Sequence, residues 1–168
     1  MNLDSIDKEF IKRSLANPDG SRPDSNVTHS VFRRTLDRPR SRPEKLPGVG
    51  KIGAVLVLFY CGPNEELQFL LTKRSSRLNH HAGQISLPGG RRDPNESIEQ
   101  TAIRETVEEV NASQTQIELL GRLEPVYIPP SDFTVHPMVA WYDPPIQFVA
   151  AEDEVEEILE VRFELIAR

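Results

Sequence analysis

The sequence of 168 residues contains a single cysteine, Cys61. A lone cysteine excludes an internal disulfide and a cysteine-rich zinc site, and at the end of an apolar segment we expect it to be a packed small side chain. The sequence also lacks an apolar run of about 18 residues, a signal-peptide pattern and internal repeats. Neither membrane insertion nor secretion is indicated, and a cytoplasmic protein is therefore expected.

An excess of positive charge is also missing, because the formal net charge is −6. This balance argues against sequence-independent nucleic-acid binding, which requires lysine and arginine to neutralise phosphates. The segment from Arg33 to Lys51 is an exception, with seven basic residues against two acidic ones and several prolines. We interpret this arm as a solvated linker in preference to a surface that steers an anionic substrate.

The pattern of apolar residues predicts one α/β domain with a mixed sheet. A hydrophobic content of 38% in a chain of this length is enough for a single core. Helical spacing of apolar residues predicts an amphipathic helix over Ser5 to Ala16, capped by Asp4 or Ser5. The apolar run Ile52 to Phe59 is typical of a strand buried on both faces. Further strands are predicted at Leu67 to Lys73, Ile117 to Ile128, Thr134 to Tyr142 and Glu157 to Arg162, with a helix beginning at Phe163.

Three glutamates fall on one side of a predicted helix that covers the segment around residues 98 to 110. At about 100° per residue, Glu105, Glu108 and Glu109 lie within a single arc of roughly 100°. Like charges at these spacings repel one another, and a hard cation such as Mg²⁺, which prefers carboxylate and phosphate oxygens, would offset that repulsion. A metal site is therefore predicted here. The opposite, packed arc consists of Ile98, Ala102, Ile103, Thr106, Val107 and Val110.

The residues before this helix contain a glycine pair and a start signal. Gly89 and Gly90 follow Leu87-Pro88 and predict a loop that approaches a ligand closely and presents phosphate oxygens to metals. Asp93 is predicted as the N-cap, with Pro94 as the first helical residue and Glu96 as the capping-box partner. A metal-linked role for Glu96 is an equally supported alternative.

The spacing of these residues resembles the Nudix box, G-x5-E-x7-R-E-U-x-E-E-x-G-U, in which U is an aliphatic residue. Residues 90 to 112 read GRRDPNESIEQTAIRETVEEVNA. Asn111 stands where the box has glycine, and asparagine is well suited to the left-handed conformation that ends many helices. Thr106 stands where the box has an aliphatic residue. Neither departure removes a carboxylate or Arg104.

A second motif resembles that of the Nudix coenzyme A diphosphatases, LLTxRS followed by HxGQxxFPGG. It covers Leu70 to Ser75 and His81 to Gly90, with Asn79 in place of a frequent arginine and Leu87 in place of phenylalanine. The resemblance covers roughly residues 47 to 166 and implies an α/β/α sandwich. We therefore divide the chain into an N-terminal helix and basic, proline-rich arm (1–46) and a Nudix hydrolase domain (47–168). One interpretation of the end of the Nudix hydrolase domain is that a final C-terminal helix is missing.

The resemblance implies hydrolysis of the diphosphate of coenzyme A or its derivatives, with Mg²⁺ or Mn²⁺ as the cofactor. Glu105 and Glu109 are then the main metal ligands, Glu108 either shares the metal or orients the nucleophile, and Arg104 holds the glutamates by ion pairing. Glu108 and Glu154 are the candidates for the general base. Substrate binding is assigned to Arg74, His81, Gly89 and Gly90.

Several alternatives remain open from the sequence. Arg74 pairs either with a phosphate or with the acidic helix, and His81 either contacts substrate or supports its loop. The rest of the acidic run Glu152 to Glu157 is expected to be solvated. ADP-ribose or another nucleoside diphosphate derivative is the alternative substrate. A non-catalytic nucleotide-binding Nudix module is the alternative from a different functional class, and the oligomeric state is not indicated.

Overall fold

The computed structural model describes residues 7–15, 50–77 and 83–166, which form an α/β fold around one mixed sheet. The predicted fold class is confirmed. The strands are β1 (Lys51–Cys61), β2 (Leu67–Arg74), β3 (Ile85–Ser86), β4 (Gly89–Arg91), β5 (Ile117–Arg122), β6 (Val126–Ile128), β7 (Phe133–Tyr142) and β8 (Val155–Arg162).

The long strand β1 lies in the middle of the sheet, whose main path is β3-β2-β1-β7-β5. It pairs in parallel with β7 and antiparallel with β2 and β4, while β6 pairs with β7 and β8 with β2. Its continuous apolar run fits this central place, because both of its faces are covered. The pairing of Ala54 with Gly90 brings the glycine pair of β4 to the middle of the sheet.

Two helices cover opposite faces of the sheet. The first, α1 (Lys8–Ser14), buries Ile11 and places Leu15 against Gly121, over a core that also contains Phe59 and Trp141. The second, α2 (Ile98–Val110), packs on the other face. The core between α2 and the sheet consists mainly of Ala54, Leu56, Leu58, Tyr60, Leu70, Ala102, Val110, Met138, Ala140 and Tyr142. The result is the α/β/α layering that the sequence predicts.

Several predicted boundaries require correction. The helix α1 is shorter than Ser5 to Ala16, and its N-cap is Asp7, whose carboxylate accepts a hydrogen bond from the Phe10 amide at 2.7 Å. The single strand predicted over Ile117 to Ile128 is interrupted between β5 and β6. A short 3-10 turn occupies Phe163–Leu165 where a longer helix was expected.

Two further predictions are wrong and one is confirmed. Cys61 is exposed at the end of β1, because the strand has left the core at that point. Glu156 in β8 is exposed, as predicted, and also accepts a hydrogen bond from Lys73 of the neighbouring strand at 2.7 Å. The glycine pair lies in β4 and does not form a loop.

The basic arm up to residue 49, His81 and Asn79 lie outside the described residues, as does most of the region 1–46. Within the described part of the chain, neither helix has the length and apolar character that crossing a membrane requires.

Candidate active site

The helix α2 begins later than the sequence predicts. Its N-cap is Ser97, whose hydroxyl accepts from the Gln100 amide at 3.1 Å, while the Gln100 side chain accepts from the Ser97 amide at 2.8 Å. The predicted N-cap at Asp93 is wrong because Asn95 has a φ of 69°, which is incompatible with a right-handed helix that starts at Pro94. The Glu96 carboxylate still accepts the predicted hydrogen bond from the Asp93 amide, at 3.3 Å, and it also has other partners.

The other end of α2 agrees with the sequence. Asn111 is its C-cap in the left-handed conformation, with φ 53° and ψ 33°. Thr106 is fully buried, and its hydroxyl donates to the Ala102 carbonyl at 2.8 Å, so the polar atom is satisfied within the helix. The two departures from the box therefore leave the helix intact, with its carboxylates on the side that faces β4.

Glu109 is the most deeply buried of the three glutamates. Only 3% of the residue is exposed, and one carboxylate oxygen lies 3.4 Å from the amide nitrogen of Gly89, which donates to it. Burial raises the pKa of Glu109 to about 7, against the smaller opposing effects of the Gly89 amide and the Arg74 charge. Gly89 itself has a φ of 150°, and a side chain there would collide with the β1 backbone.

Glu105 lies one turn earlier, against the second glycine. A Cβ atom at Gly90 would overlap with the Glu105 carboxylate, so the absence of a side chain makes room for that carboxylate beside the strand. Burial raises the pKa of Glu105, and the ion pair with Arg104 at 3.0 Å opposes the shift. Gly89 and Gly90 therefore each adjoin one carboxylate, which explains the glycine pair.

Arg104 organises the acidic side chains around the start of α2. Its guanidinium lies 2.8 Å from the carboxylates of Glu96 and Glu108 and donates to the Arg91 carbonyl at 3.2 Å. The hydrogen bond from Arg104 holds the pKa of Glu96 at about 2. The Glu108 side chain is 55% exposed, so of the three predicted ligands it is the least enclosed. No periodic signal in the sequence links Glu96 to Arg104 at a spacing of eight residues, and this pairing was missed.

Arg74 approaches the same carboxylates from the end of β2. Its Nη1 lies 4.0 Å from a Glu109 oxygen, and its Nε is buried without a hydrogen-bond partner among the described residues. Of the two interpretations drawn from the sequence, proximity to the acidic helix is observed. The Nε of Arg74 is therefore able to donate a hydrogen bond to a further acceptor.

Glu154 adds a fourth negative charge to this region. Its backbone carbonyl accepts from the Ser75 amide at 2.8 Å, which joins it to the residue that follows Arg74. Its charge raises the pKa values of both Glu105 and Glu109, as expected for a carboxylate near them. The sequence singled out Glu154 only through the family resemblance, because the contact joins segments 45 residues or more apart.

The donor chemistry of the site fits a hard divalent cation. Glu105 and Glu109 supply carboxylate oxygens whose raised pKa values show that their negative charges are poorly compensated. Among the residues that the structure describes, no three acidic, histidine or cysteine side chains converge as a metal-binding group. Arg104 accounts for this, because it pairs with Glu105 and Glu108 and leaves Glu109 to Arg74 and Gly89.

Several known proteins resemble this chain in sequence or fold. A profile of the NUDIX domain matches residues 50–166. NudL, an uncharacterized Nudix hydrolase of Yersinia enterocolitica, is 36% identical over 138 residues, covering 82% of this chain and 69% of that protein. The Nudix hydrolase RenU from M. smegmatis superposes with a TM-score of 0.57 at 25% identity, covering 68% of this chain and 72% of its own. A binary complex of C. elegans Ap4A hydrolase gives 0.57 at 26% identity, covering 68% and 85%.

The pKa of Glu109 predicts a pH-dependent cost to the fold. Because the folded pKa of about 7 exceeds the ordinary value of 4.5, folding is penalised as pH rises from about 4.5 through 7. In metal-free buffer, Glu109→Gln should raise the free energy of unfolding by about 2 kcal/mol at pH 8 and by much less at pH 4. Urea unfolding at the two pH values measures this. The exposed control Glu108→Gln should change it by under about 0.5 kcal/mol, and a destabilised Glu109→Gln protein at pH 8 would contradict the account.

Proposed function

This chain belongs to the Nudix hydrolase family, and we propose that it hydrolyses the diphosphate linkage of coenzyme A or its derivatives with Mg²⁺ or Mn²⁺ as the cofactor. As a member of the family it is a hydrolase of diphosphate bonds. The proposed products are 3',5'-ADP and 4'-phosphopantetheine. Nudix hydrolases generally use divalent metal ions, and the choice between Mg²⁺ and Mn²⁺ is part of the proposal.

The observation that carries this proposal is the buried carboxylate of Glu109 with its pKa of about 7. A buried carboxylate whose ionised form is destabilised by the fold is the one that a bound cation stabilises most. Glu105, beside Gly90, supplies the second carboxylate, and Glu108 at the exposed edge is the third proposed ligand. When bound, the cation neutralises charge on the diphosphate and lowers the pKa of water.

Glu154 is the proposed general base. Its carboxylate is exposed, whereas that of Glu108 is held by Arg104 at 2.8 Å, so Glu154 is the freer of the two to accept a proton. In the proposed step, the oxygen of water forms a bond to one phosphorus while its proton passes to Glu154. The phosphorus–oxygen bond of the anhydride breaks, and its electron pair leaves with the departing phosphate. Arg104 acts as a positioning residue for Glu105 and Glu108.

Substrate recognition is proposed for the segment from Leu70 to Gly90. The buried Nε of Arg74, which lacks a partner among the described residues, is a donor suited to a phosphate oxygen. His81, outside those residues, is proposed as a substrate contact from the motif resemblance. Gly89 and Gly90 keep the strand edge free of side chains where the diphosphate would lie. ADP-ribose or another nucleoside diphosphate derivative is the alternative substrate, and Ap4A is the substrate named for the C. elegans neighbour.

The carboxylate assignment predicts the effect of a single substitution on turnover. Glu109→Gln keeps the size of the side chain and removes its charge, so kcat should fall by at least about 100-fold, the scale for losing a major electrostatic element. Steady-state kinetics at saturating metal measure this, with circular dichroism to verify folding. The matched control is Glu99→Gln, in the first turn of the same helix, which should stay within about twofold because Glu99 lies far from the cluster along the helix axis. Near-normal turnover in folded Glu109→Gln would refute the ligand assignment.

The substrate assignment predicts a preference that can be measured on the unmodified protein. Coenzyme A should be cleaved with a kcat/KM at least about tenfold above that for ADP-ribose, which equals roughly 1.4 kcal/mol of differential transition-state binding. Arg74→Ala should reduce the preference, because it removes a donor suited to phosphate. Mass spectrometry identifies the products. Equal or faster cleavage of ADP-ribose would contradict the assignment of coenzyme A as the substrate. The assignment of the reaction class would be unchanged.

A further inference from the structure

The connection between β7 and β8, residues 143–154 (the connector), is hydrogen-bonded to the end of the helix that carries the glutamates. The Val149 amide donates to the Val110 carbonyl, and the Ala151 amide donates to the Glu109 carbonyl, both at 2.9 Å. The last carbonyls of a helix have no partner within the helix, so these two bonds satisfy groups that need an external donor. The connector is thus joined to the backbone of Glu109 itself.

One aromatic ring fixes the connector to the core. Phe148 lies 5.4 Å from the Tyr60 ring in an edge arrangement and 5.0 Å from the Tyr142 ring, measured between centroids. Apart from Ile146, the residues near it in the connector are polar, exposed or small. A ring pair of this kind contributes about 0.5–1.5 kcal/mol beyond the burial of area. Phe148 is therefore the main apolar anchor of the segment.

The start of the connector is fixed independently. The Gln116 side-chain amide donates to the carbonyls of Asp143 at 2.9 Å and Pro145 at 3.2 Å, and the Tyr142 hydroxyl donates to the Gln116 oxygen at 2.9 Å. These bonds hold the chain as far as Pro145. Beyond it, Ile146 and Phe148 are partly buried against the core, and Phe148 is the aromatic one.

The far end of the connector carries Glu154. The amides of Glu154 and Val155 both donate to the Ala151 carbonyl, at 2.9 and 2.8 Å, so a tight turn links Ala151 to Glu154. Ala151 is the same residue that donates to the Glu109 carbonyl. The backbone from Phe148 to Glu154 is therefore held by the ring contacts of Phe148 at one end and by the hydrogen bonds of Ala151 at the other.

We propose that Phe148 is a positioning residue that holds the connector on α2 and so places the Glu154 carboxylate against Glu105 and Glu109. The inference rests on the proposed function, because it acts through the proposed base. The ring of Phe148 packs on Tyr60 and Tyr142 in the core, so its effect on Glu154 passes through the backbone. Small misplacements of a catalytic group cost on the order of 100-fold in rate per ångström, so the anchor is expected to influence turnover more than substrate affinity.

A double-mutant cycle tests the coupling. Phe148→Ala should lower kcat by about tenfold with KM within about twofold, while in the Glu154→Gln background the same change should cost less than about twofold, because the group it positions is already gone. Phe148→Leu, which retains apolar contact, should recover at least about half of the activity. The control is Phe163→Ala, which removes a ring packed edge-on at 5.5 Å from Phe59 on the opposite face. Its effect should be additive with Glu154→Gln.

Amide hydrogen exchange in the metal-free protein gives a readout that is independent of activity. In Phe148→Ala the amides of Val149 and Ala151 should exchange at least about tenfold faster, while amides in the middle of α2 keep their protection. Additive losses in the cycle, or unchanged exchange at both amides, would overturn the inference. If the wild-type protein cleaves no diphosphate, the proposed function fails, and the exchange result still decides whether Phe148 holds the connector.

Discussion

The burial of the Glu109 carboxylate against the edge of β4 is the constraint on which the site depends. A carboxylate that is 3% exposed and receives a single long hydrogen bond from Gly89 is held at a free-energy cost, which its raised pKa expresses. The surrounding structure keeps the Glu109 carboxylate buried despite that cost. Gly90 makes room for Glu105, the Gly89 amide donates to Glu109, Asn111 ends the helix two residues after Glu109, and the connector binds the Glu109 carbonyl. Functional sites often retain destabilising features of this kind because binding relieves them.

The acidic residues of the site differ in protonation because their surroundings differ. Glu96 lies beside Arg104, and its pKa is about 2, whereas Glu109 is buried and has a pKa of about 7. Burial also raises the pKa of Glu105, and Arg104 opposes that shift. Arg104 thus keeps Glu96 ionised at the edge of the cluster. At the centre, a cation would favour the ionised form of Glu109. This division explains how Glu96, Glu105 and Glu109 coexist beside one arginine.

Local patterns in the sequence were enough for the elements that follow simple periodicity. The two arcs of α2, the buried strand β1 and the left-handed C-cap at Asn111 were all predicted and are observed. The N-cap was missed because Asp93 and Ser97 both offer suitable side chains, and the positive φ of Asn95 decides between them. The exposure of Glu156 was predicted, but its ion pair with Lys73 was not, because it joins residues 83 positions apart. The position of Glu154 depends on the connector. Hydrophobic periodicity does not predict the hydrogen bonds between the connector and α2.

If Glu109 is a cation ligand, as we propose, it must lose a proton to bind the cation. Metal binding to a protonated ligand releases protons in proportion to the protonated fraction. Calorimetric titration with Mn²⁺ in buffers of different ionisation enthalpy measures that number directly. With a pKa of about 7 for Glu109, the account predicts release of nearly one proton at pH 6 and almost none at pH 8.5, with no release at either pH in Glu109→Gln. Binding of Mn²⁺ at pH 6 without proton release, or with the same release in Glu109→Gln, would contradict it.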